Sequence, residues 1–421
     1  MALTVKQLNA DASFLLTFEP IVPQSIPGIT PRPFRILMDP WIIGPSTIFH
    51  SILSTTTHKQ CPCVCSLRHL PEPDLVIISQ HNSDHCNEAT LRQLPASGSR
   101  TKILAEPMAA KVIRSWKYFD NDKVHMIPRW EDPRTSGKES VIRLRVPPHV
   151  PGGEPGEVSV AFIPQRRDFK GLHAAIGITY RPPPTSPRFT HLFTPSETPL
   201  AQHGQKTVAA NLTPPTPPST PGTRPLRSVR SAPSLGPKQQ LSPRDRAVSV
   251  IFSPHGIPYR SLRPYADSHL AAESALPLTA LLHCFNTVSN PWWLGGNISA
   301  GMPAGQETAA ALGARAWVST HDGDKHVRGL ATGLLKTKKY ARQPSHRGRR
   351  AGGEKDKGTE VLVLGVGEEV AMTGDGVWNV EAGDRAPPPG KGLSRAERSL
   401  TGRARGRNLS PIDTAAKYVT K

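Results

Sequence analysis

One stretch in the N-terminal half restricts the fold more than any other part of the sequence. Residues 75–78 are four branched apolar residues, which suit a buried strand, and the chain turns abruptly polar over residues 79–87. Helix-like spacing follows over residues 88–94. A strand, a polar loop and a helix in this order predict an α/β domain, and a loop at the end of a rigid strand is a common place for functional side chains.

The polar loop carries Asp84 next to His85, and its spacing resembles the His-x-His-x-Asp-His signature of the metallo-β-lactamase fold superfamily. Aligned on this pair, the two earlier histidine positions are Gln80 and Asn82. The resemblance implies that the Asp-His pair serves the second of two adjacent metal sites, while amides replace the histidines of the first. Neutral amides are weak zinc ligands, so we do not expect a two-metal site.

A second feature of this resemblance is a strand that ends in Asp39-Pro40-Trp41. It resembles the opening of the superfamily, especially the branch that includes ascorbate-phosphate lactonases and related fungal proteins of unassigned activity. The resemblance implies that Asp39 lies near the metal loop and orients a ligand histidine as a hydrogen-bond acceptor. The alternative is an aspartate that only closes a turn at the strand end.

Two later histidines follow predicted strands. His255 comes after residues 248–252, at the place where superfamily members carry an aspartate that bridges two metals. A histidine can instead donate one nitrogen to a single ion. His321 follows residues 314–319 and matches the superfamily's final metal ligand. The resemblance therefore implies one metal held by Asp84, His85, His321 and His255.

The resemblance also suggests residues that contact a substrate. Gln80 and Asn82 would form hydrogen bonds with it, and an aromatic-glycine loop resembles the segment that closes over the cleft in the family. Trp292 and Trp293 would form a wall there, followed by Asn297, although packing of both tryptophans in the core is an alternative. Just before this loop, residues 265–285 show helix-like leucine spacing with an interruption at Pro277.

Composition changes twice along the chain. Residues 181–247 are rich in proline, serine and threonine, which predicts a disordered insertion within one domain that spans residues 1–340. Residues 341–421 are basic and glycine-rich, and they predict a mostly disordered region with a possible edge strand near residues 360–365. Together with this composition, the resemblance implies an α/β fold class, a four-layer αββα metallo-β-lactamase-like sandwich that a long insertion interrupts.

The formal charge of +19 would suit a nucleic-acid partner, but lysine and arginine concentrate in the segments predicted to be disordered, and no basic motif is interleaved with aromatic residues. The N-terminus has no secretory pattern, and no apolar stretch approaches membrane length. These features predict an intracellular protein, cytoplasmic or nuclear, with a small-molecule substrate or protein partner and no membrane association.

Two hypotheses of function follow. The degenerate signature favours a metallo-β-lactamase-fold protein that is non-catalytic or weakly active, in which the polar side chains form a hydrogen-bond network. The alternative is a hydrolase that uses one Zn²⁺ or Mn²⁺ ion to activate water at Asp84, His85 and His321, with Asp84 as ligand and orienting group. Its substrate would be an ester, a lactone or a phosphodiester.

Overall fold

The computed structural model describes residues 1–21, 32–47, 54–149, 152–168, 170–184, 247–292, 296–329, 332–340 and 358–378. Most of the proline-rich stretch at 181–247 and most of the region beyond residue 340 lie outside these ranges, so the expectations about their disorder stay predictions. Described residues between Met1 and Trp378 form one compact unit.

The first sheet has eight strands. In spatial order they are β21 (Gly376–Val377), β20 (Glu369–Thr373), β1 (Ala2–Gln7), β2 (Phe14–Glu19), β3 (Phe34–Met38), β6 (Leu75–Ile78), β7 (Lys102–Ala105) and β8 (Val124–Met126). The strands β3, β6, β7 and β8 run parallel, and β2 is antiparallel to both β1 and β3. The turn between β1 and β2 therefore lies at the same edge as the carboxyl ends of β3 and β6.

The second sheet has seven strands. In spatial order they are β19 (Glu360–Leu362), β16 (Ala316–Ser319), β13 (Ala280–His283), β12 (Val248–Ser253), β11 (Ala174–Arg181), β10 (Gly156–Pro164) and β9 (Ile142–Val146). Strands β12, β13, β16 and β19 run parallel, so the segments that follow β12, β13 and β16 emerge at one edge.

The two sheets pack face to face, and helices cover their outer faces. Alternate apolar residues from both sheets fill the space between them, among them Phe14, Phe18, Ile36, Ile77, Val160, Ile178, Phe252 and Leu282. The helices are α1 (Glu88–Leu91), α2 (Pro107–Ser115), α3 (Pro133–Ser136), α4 (Tyr259–Tyr265) and α5 (Gly301–Leu312). Helices α1 and α2 pack on the first sheet, and α4 and α5 pack on the second. The predicted four-layer αββα architecture is confirmed.

Two small sheets complete the structure. One has the order β15 (Asn297–Ala300), β14 (Thr287–Ser289), β18 (Lys336–Lys338), and the other the order β17 (Lys325–Arg328), β5 (Thr55–His58), β4 (Ser46–Thr47). Short 3₁₀ turns occur at Leu67–His69 and Thr332–Leu334, and a π-helical turn at Ala266–Leu270 follows α4. Among the described residues, no helix is both long and apolar enough to cross a bilayer.

The helix-like interpretation of residues 265–285 is wrong over its second half. Helix character ends at Ala272, and residues 280–283 form β13 between two parallel neighbours. A central strand of this kind is buried on both faces and reads as a continuous apolar run, and such a short run has no period that distinguishes it from a helix.

Candidate metal centre

Four side chains from three strand ends meet at one edge of the sandwich. Asp84 and His85 follow β6, His255 follows β12 and His321 follows β16. The Nε2 atoms of His85 and His255 are 3.2 Å apart. An Asp84 carboxylate oxygen lies 3.9 Å from Nε2 of His85 and 4.0 Å from Nε2 of His321. One ligand atom from each of the three histidines lies within 4.8 Å of the others, which makes the three rings a candidate set of metal ligands.

Asp39 determines how the ring of His85 is oriented. Its Oδ2 lies 2.7 Å from Nδ1 of His85, and both groups are buried. The same carboxylate accepts hydrogen bonds from the Ser79 backbone N–H at 2.7 Å and the Ser79 hydroxyl at 2.5 Å. Because a carboxylate can only accept, Nδ1 of His85 carries the proton, and in the neutral ring Nε2 presents a lone pair to the cluster.

Asp11 does the same for His321. Its Oδ1 lies 2.8 Å from Nδ1 of His321, and its other oxygen lies 2.8 Å from the Lys325 ammonium. Burial alone would raise the pKa of Asp11, but His321 and Lys325 hold it well below its usual range. The ionised carboxylate therefore holds His321 with its Nε2 towards Asp84.

The carboxylates of the cluster favour a positive charge beside them. Burial alone would lower the pKa of His85, but Asp84 and Asp39 raise it to about 9. Burial, together with His321 and His85, holds the pKa of His255 well below its usual value, so His255 is neutral. Burial would raise the pKa of Asp84, whereas His85 and Lys325 lower it. Without a metal ion, the carboxylates thus stabilise a proton on His85 beside the neutral His255.

These residues fit one divalent ion. Three imidazole nitrogens and one carboxylate are ligands that zinc accepts, and two of the rings have a carboxylate at the opposite nitrogen. The Oδ1 atom of Asp84 is buried and has no hydrogen-bond partner among the described residues. Burying a carboxylate oxygen without a partner costs free energy unless a cation or a polar ligand compensates it.

The amides that replace the first two signature histidines have other contacts. Gln80 is buried, and its Nε2 donates a hydrogen bond of 2.7 Å to the Leu172 carbonyl, while its Oε1 has no partner among the described residues. The Asn82 carbonyl accepts from the backbone N–H groups of His85 and Cys86, which shapes the metal loop. The ring of His173 contacts backbone carbonyls instead of the cluster, with Nδ1 2.9 Å from the Gly256 oxygen.

The predicted substrate wall is only partly described. Trp292 lies in the turn between β14 and β15 and is 86% exposed, so the alternative that it packs in the core is wrong. Trp293 lies outside the described residues. Asn297 begins β15 with an exposed side chain, and its carbonyl oxygen lies 3.4 Å from Nε2 of His173. Of the predicted contacts, Asp84, His85, His255, His321 and Asp39 come together, whereas Trp292 is exposed in the turn between β14 and β15.

Sequence reasoning missed Asp11 and Lys325. Asp322 and Asp324 are the acidic residues nearest to His321 in the sequence, but Asp322 accepts from the backbone of Phe285, and Asp324 pairs with Lys339. Strand order could have indicated Asp11, because the polar turn between the first two strands lies at the same edge of the sheet as the end of the third strand.

Known proteins were compared with this chain. Residues 29–169, about a third of the chain, match the family model of the β-lactamase superfamily domain. No curated protein sequence matches. Among solved structures, a glutamate-to-aspartate mutant of CmlA β-hydroxylase is 13% identical with a TM-score of 0.42, covering 88% of this chain. The chain spans 54% of that protein's length.

A second structure is the metallo-β-lactamase fold protein YhfI from Bacillus subtilis, which is 12% identical with a TM-score of 0.38. That match covers 88% of this chain and 99% of the other. Similarity at this level has no bearing on function. The described residues form a four-layer αββα sandwich of the metallo-β-lactamase-like kind, and residues 29–169 within it match the β-lactamase superfamily domain.

Proposed function

We propose that this protein is a hydrolase that uses a single divalent metal ion, Zn²⁺ or Mn²⁺, held by Asp84, His85, His255 and His321. The observation that carries the proposal is the convergence of three imidazole nitrogens and one carboxylate on one buried point. The proposed substrate is an ester, a lactone or a phosphodiester.

The carboxylates around the site support this function because they orient the ligand histidines. Asp39 accepts the Nδ1 proton of His85, and the Asp11 carboxylate pairs with Nδ1 of His321, so that Nε2 of each ring faces the ion. Fixed ring orientations lower the entropic cost of forming the site. The amides at Gln80 and Asn82 leave no histidine ligands for a second ion at those positions, which supports a one-metal site.

A bound divalent ion would lower the pKa of a water molecule towards neutrality and polarise the group under attack. Asp84 would bind through one oxygen and orient the attacking water through its unpartnered Oδ1. Gln80 has an unpartnered side-chain oxygen at the same loop and would accept a hydrogen bond from the substrate or its leaving group. Asn82 is the further amide proposed for substrate contact.

A second candidate is a non-catalytic protein in which the same side chains hold the loops together. The ion pair between Asp11 and Lys325 favours it, because this contact satisfies both buried charges without any metal. The network from Asp39 through His85 to His255 would then act as a polar clamp between the two sheets.

Metal content separates the two candidates. After reconstitution, we expect about one equivalent of zinc or manganese in the purified protein, measured by mass spectrometry of the element. Asp84→Ala and His321→Ala should each lose it. His326→Ala is the matched control, because this exposed histidine on the neighbouring strand β17 lies outside the cluster. If the protein takes up no metal under these conditions, the result supports the non-catalytic candidate.

Activity is tested on the metal-loaded protein with chromogenic esters, lactones and phosphodiesters. Turnover that disappears in His321→Ala and persists in His326→Ala supports the hydrolase. If the protein binds stoichiometric metal but turns over none of the three substrate classes, the proposed hydrolysis is wrong and the proposed metal site is retained.

A further inference from the structure

The small sheets form the rim of the metal centre. Ser299 on β15 places its Oγ 3.5 Å from Nδ1 of His255, and the backbone N–H of Ala300 donates to the His255 carbonyl at 2.8 Å. Strand β17 begins with Lys325, whose ammonium contacts Asp11. Strands β15 and β17 therefore border the metal centre, and β14 and β18 continue the sheet that starts with β15.

Large apolar side chains are exposed on this rim. Trp292 is 86% exposed, Val327 and Leu334 are each 41% exposed, and Leu335 is 36% exposed. The pairing of Ser289 with Lys336 brings the residues before β18 to the same end of the sheet as the β14–β15 turn. Clustered exposed apolar residues of this kind mark an interaction surface more often than isolated ones do.

The same surface is positively charged. The sequence from Lys325 to Tyr340 contains no aspartate or glutamate. Lys325 and Lys339 are paired with Asp11 and Asp324. Exposed Arg328, Lys336 and Lys338 have no carboxylate partner among the described residues, so their charges are available to an anionic partner.

We propose that this rim, defined as Trp292, Val327, Arg328, Leu334, Leu335, Lys336 and Lys338, binds the surface of an anionic lipid bilayer. Exposed apolar side chains can insert at the boundary between headgroups and acyl chains, while the cations between them contact anionic headgroups. Charge complementarity and the apolar residues support the same partner.

Single-stranded nucleic acid fits this surface less well. Such partners are held by aromatic side chains that stack on bases and by cations that follow the backbone. Here Trp292 is the one exposed aromatic residue of the defined rim, and its other apolar members are aliphatic residues that cannot stack. Aliphatic side chains are suited to the acyl region of a membrane.

The expectation of no membrane association rests on the lack of a membrane-spanning segment in the sequence. Peripheral binding needs no such segment, so this expectation does not conflict with the proposal. Binding at the rim would bring the ester and phosphodiester groups of lipids to the metal centre. This consequence rests on the proposed function, whereas the binding itself does not.

Vesicle sedimentation tests the binding. We expect the full-length protein to bind vesicles of phosphatidylcholine mixed with phosphatidylserine, to bind vesicles of phosphatidylcholine alone much more weakly, and to lose binding at high salt. Lys336→Glu combined with Lys338→Glu should lower the partition coefficient by at least about tenfold. Trp292→Ala should also lower it, because the exposed indole contributes apolar contact.

Matched controls separate the rim from general charge. Lys102→Glu combined with Lys111→Glu makes the same charge change at exposed positions on β7 and α2, and Met108→Ala removes an exposed apolar side chain from α2. These variants should bind like the wild type. Equal losses in rim and control variants, or binding of single-stranded RNA without vesicle binding, would overturn the proposal. His321→Ala should still bind vesicles, so failure of the metal chemistry and failure of docking are distinguishable.

Discussion

At the scale of single residues, the carboxylates behind the histidines determine whether the cluster can hold a metal. Asp11 and Asp39 each contact the Nδ1 of one ring, and neither is proposed to touch the ion. Groups in this position set the tautomer and the basicity of a ligand histidine. A small chemical change at either carboxylate should therefore lower the metal affinity without removing a ligand.

Asp11→Asn tests this role. An amide keeps the shape of the side chain, but it carries no charge and its NH₂ group can donate a hydrogen bond. Nδ1 of His321 is then no longer held as a donor. We expect the apparent metal affinity to fall by about 10- to 100-fold, measured by competition with a chelating dye. Asp324→Asn is the control at an exposed carboxylate. An unchanged affinity in Asp11→Asn would contradict the positioning role, provided that circular dichroism shows a folded protein.

The pH dependence of metal binding follows from His85. Its pKa is raised to about 9, so at neutral pH in the metal-free protein the ring carries a proton that an incoming ion must displace. Apparent affinity should therefore rise with pH up to that value, by about tenfold per pH unit for one displaced proton. Calorimetry in buffers of different ionisation enthalpy would count the released protons. Affinity that stays constant across neutral pH would show that no such proton is displaced.

At the scale of elements, the cluster depends on how closely two turns approach each other. Gly323 follows His321, and a Cβ added there would lie 1.7 Å from the Ala10 carbonyl oxygen in the turn between β1 and β2. The His321 backbone N–H also donates to the Asp11 carbonyl at 3.2 Å. Glycine at this position therefore lets the end of β16 reach the carboxylate that orients His321.

Gly323→Ala should push these two turns apart. We expect a loss of metal affinity larger than that of Asp11→Asn, because both the ring position and its hydrogen bond are affected, together with a lower melting temperature. Gly333→Ala is the matched control, since a Cβ there meets no atom within 4 Å. Crystallographic or NMR evidence that Asp11 still contacts His321 in Gly323→Ala would contradict this explanation.

At the scale of the whole molecule, the metal ligands come from both sheets, so the site depends on the packing between them. Asp84 and His85 follow a strand of the first sheet, and His255 and His321 follow strands of the second. Phe252 lies next to the last residue of β12 and is fully buried, with its ring 6.4 Å from that of Phe14 across the interface.

Phe252→Ala should lower the free energy of unfolding by about 3 to 5 kcal/mol, because it removes a buried ring and leaves a cavity between the sheets. Denaturant titration measures this change, and Met108→Ala, at a half-exposed position, should change it little.

Added zinc should stabilise the wild-type protein more than His321→Ala, since ligands that bind only the folded state raise its stability. Equal stabilisation of both proteins would show that the metal binds elsewhere.

Apolar runs that end in polar loops predicted the α/β class and the strands before Asp84, His255 and His321, because such runs report local structure directly. The resemblance to the metallo-β-lactamase fold superfamily implied the four-layer arrangement and the ligand set of Asp84, His85, His255 and His321. Only the tertiary structure could show that β13 is a strand within the second sheet, because an apolar run buried on both faces has no diagnostic period. The Asp11 contact with His321 likewise depends on two turns that lie far apart in sequence. Such a contact is decided by strand order and sheet packing, which leave no local pattern in the chain.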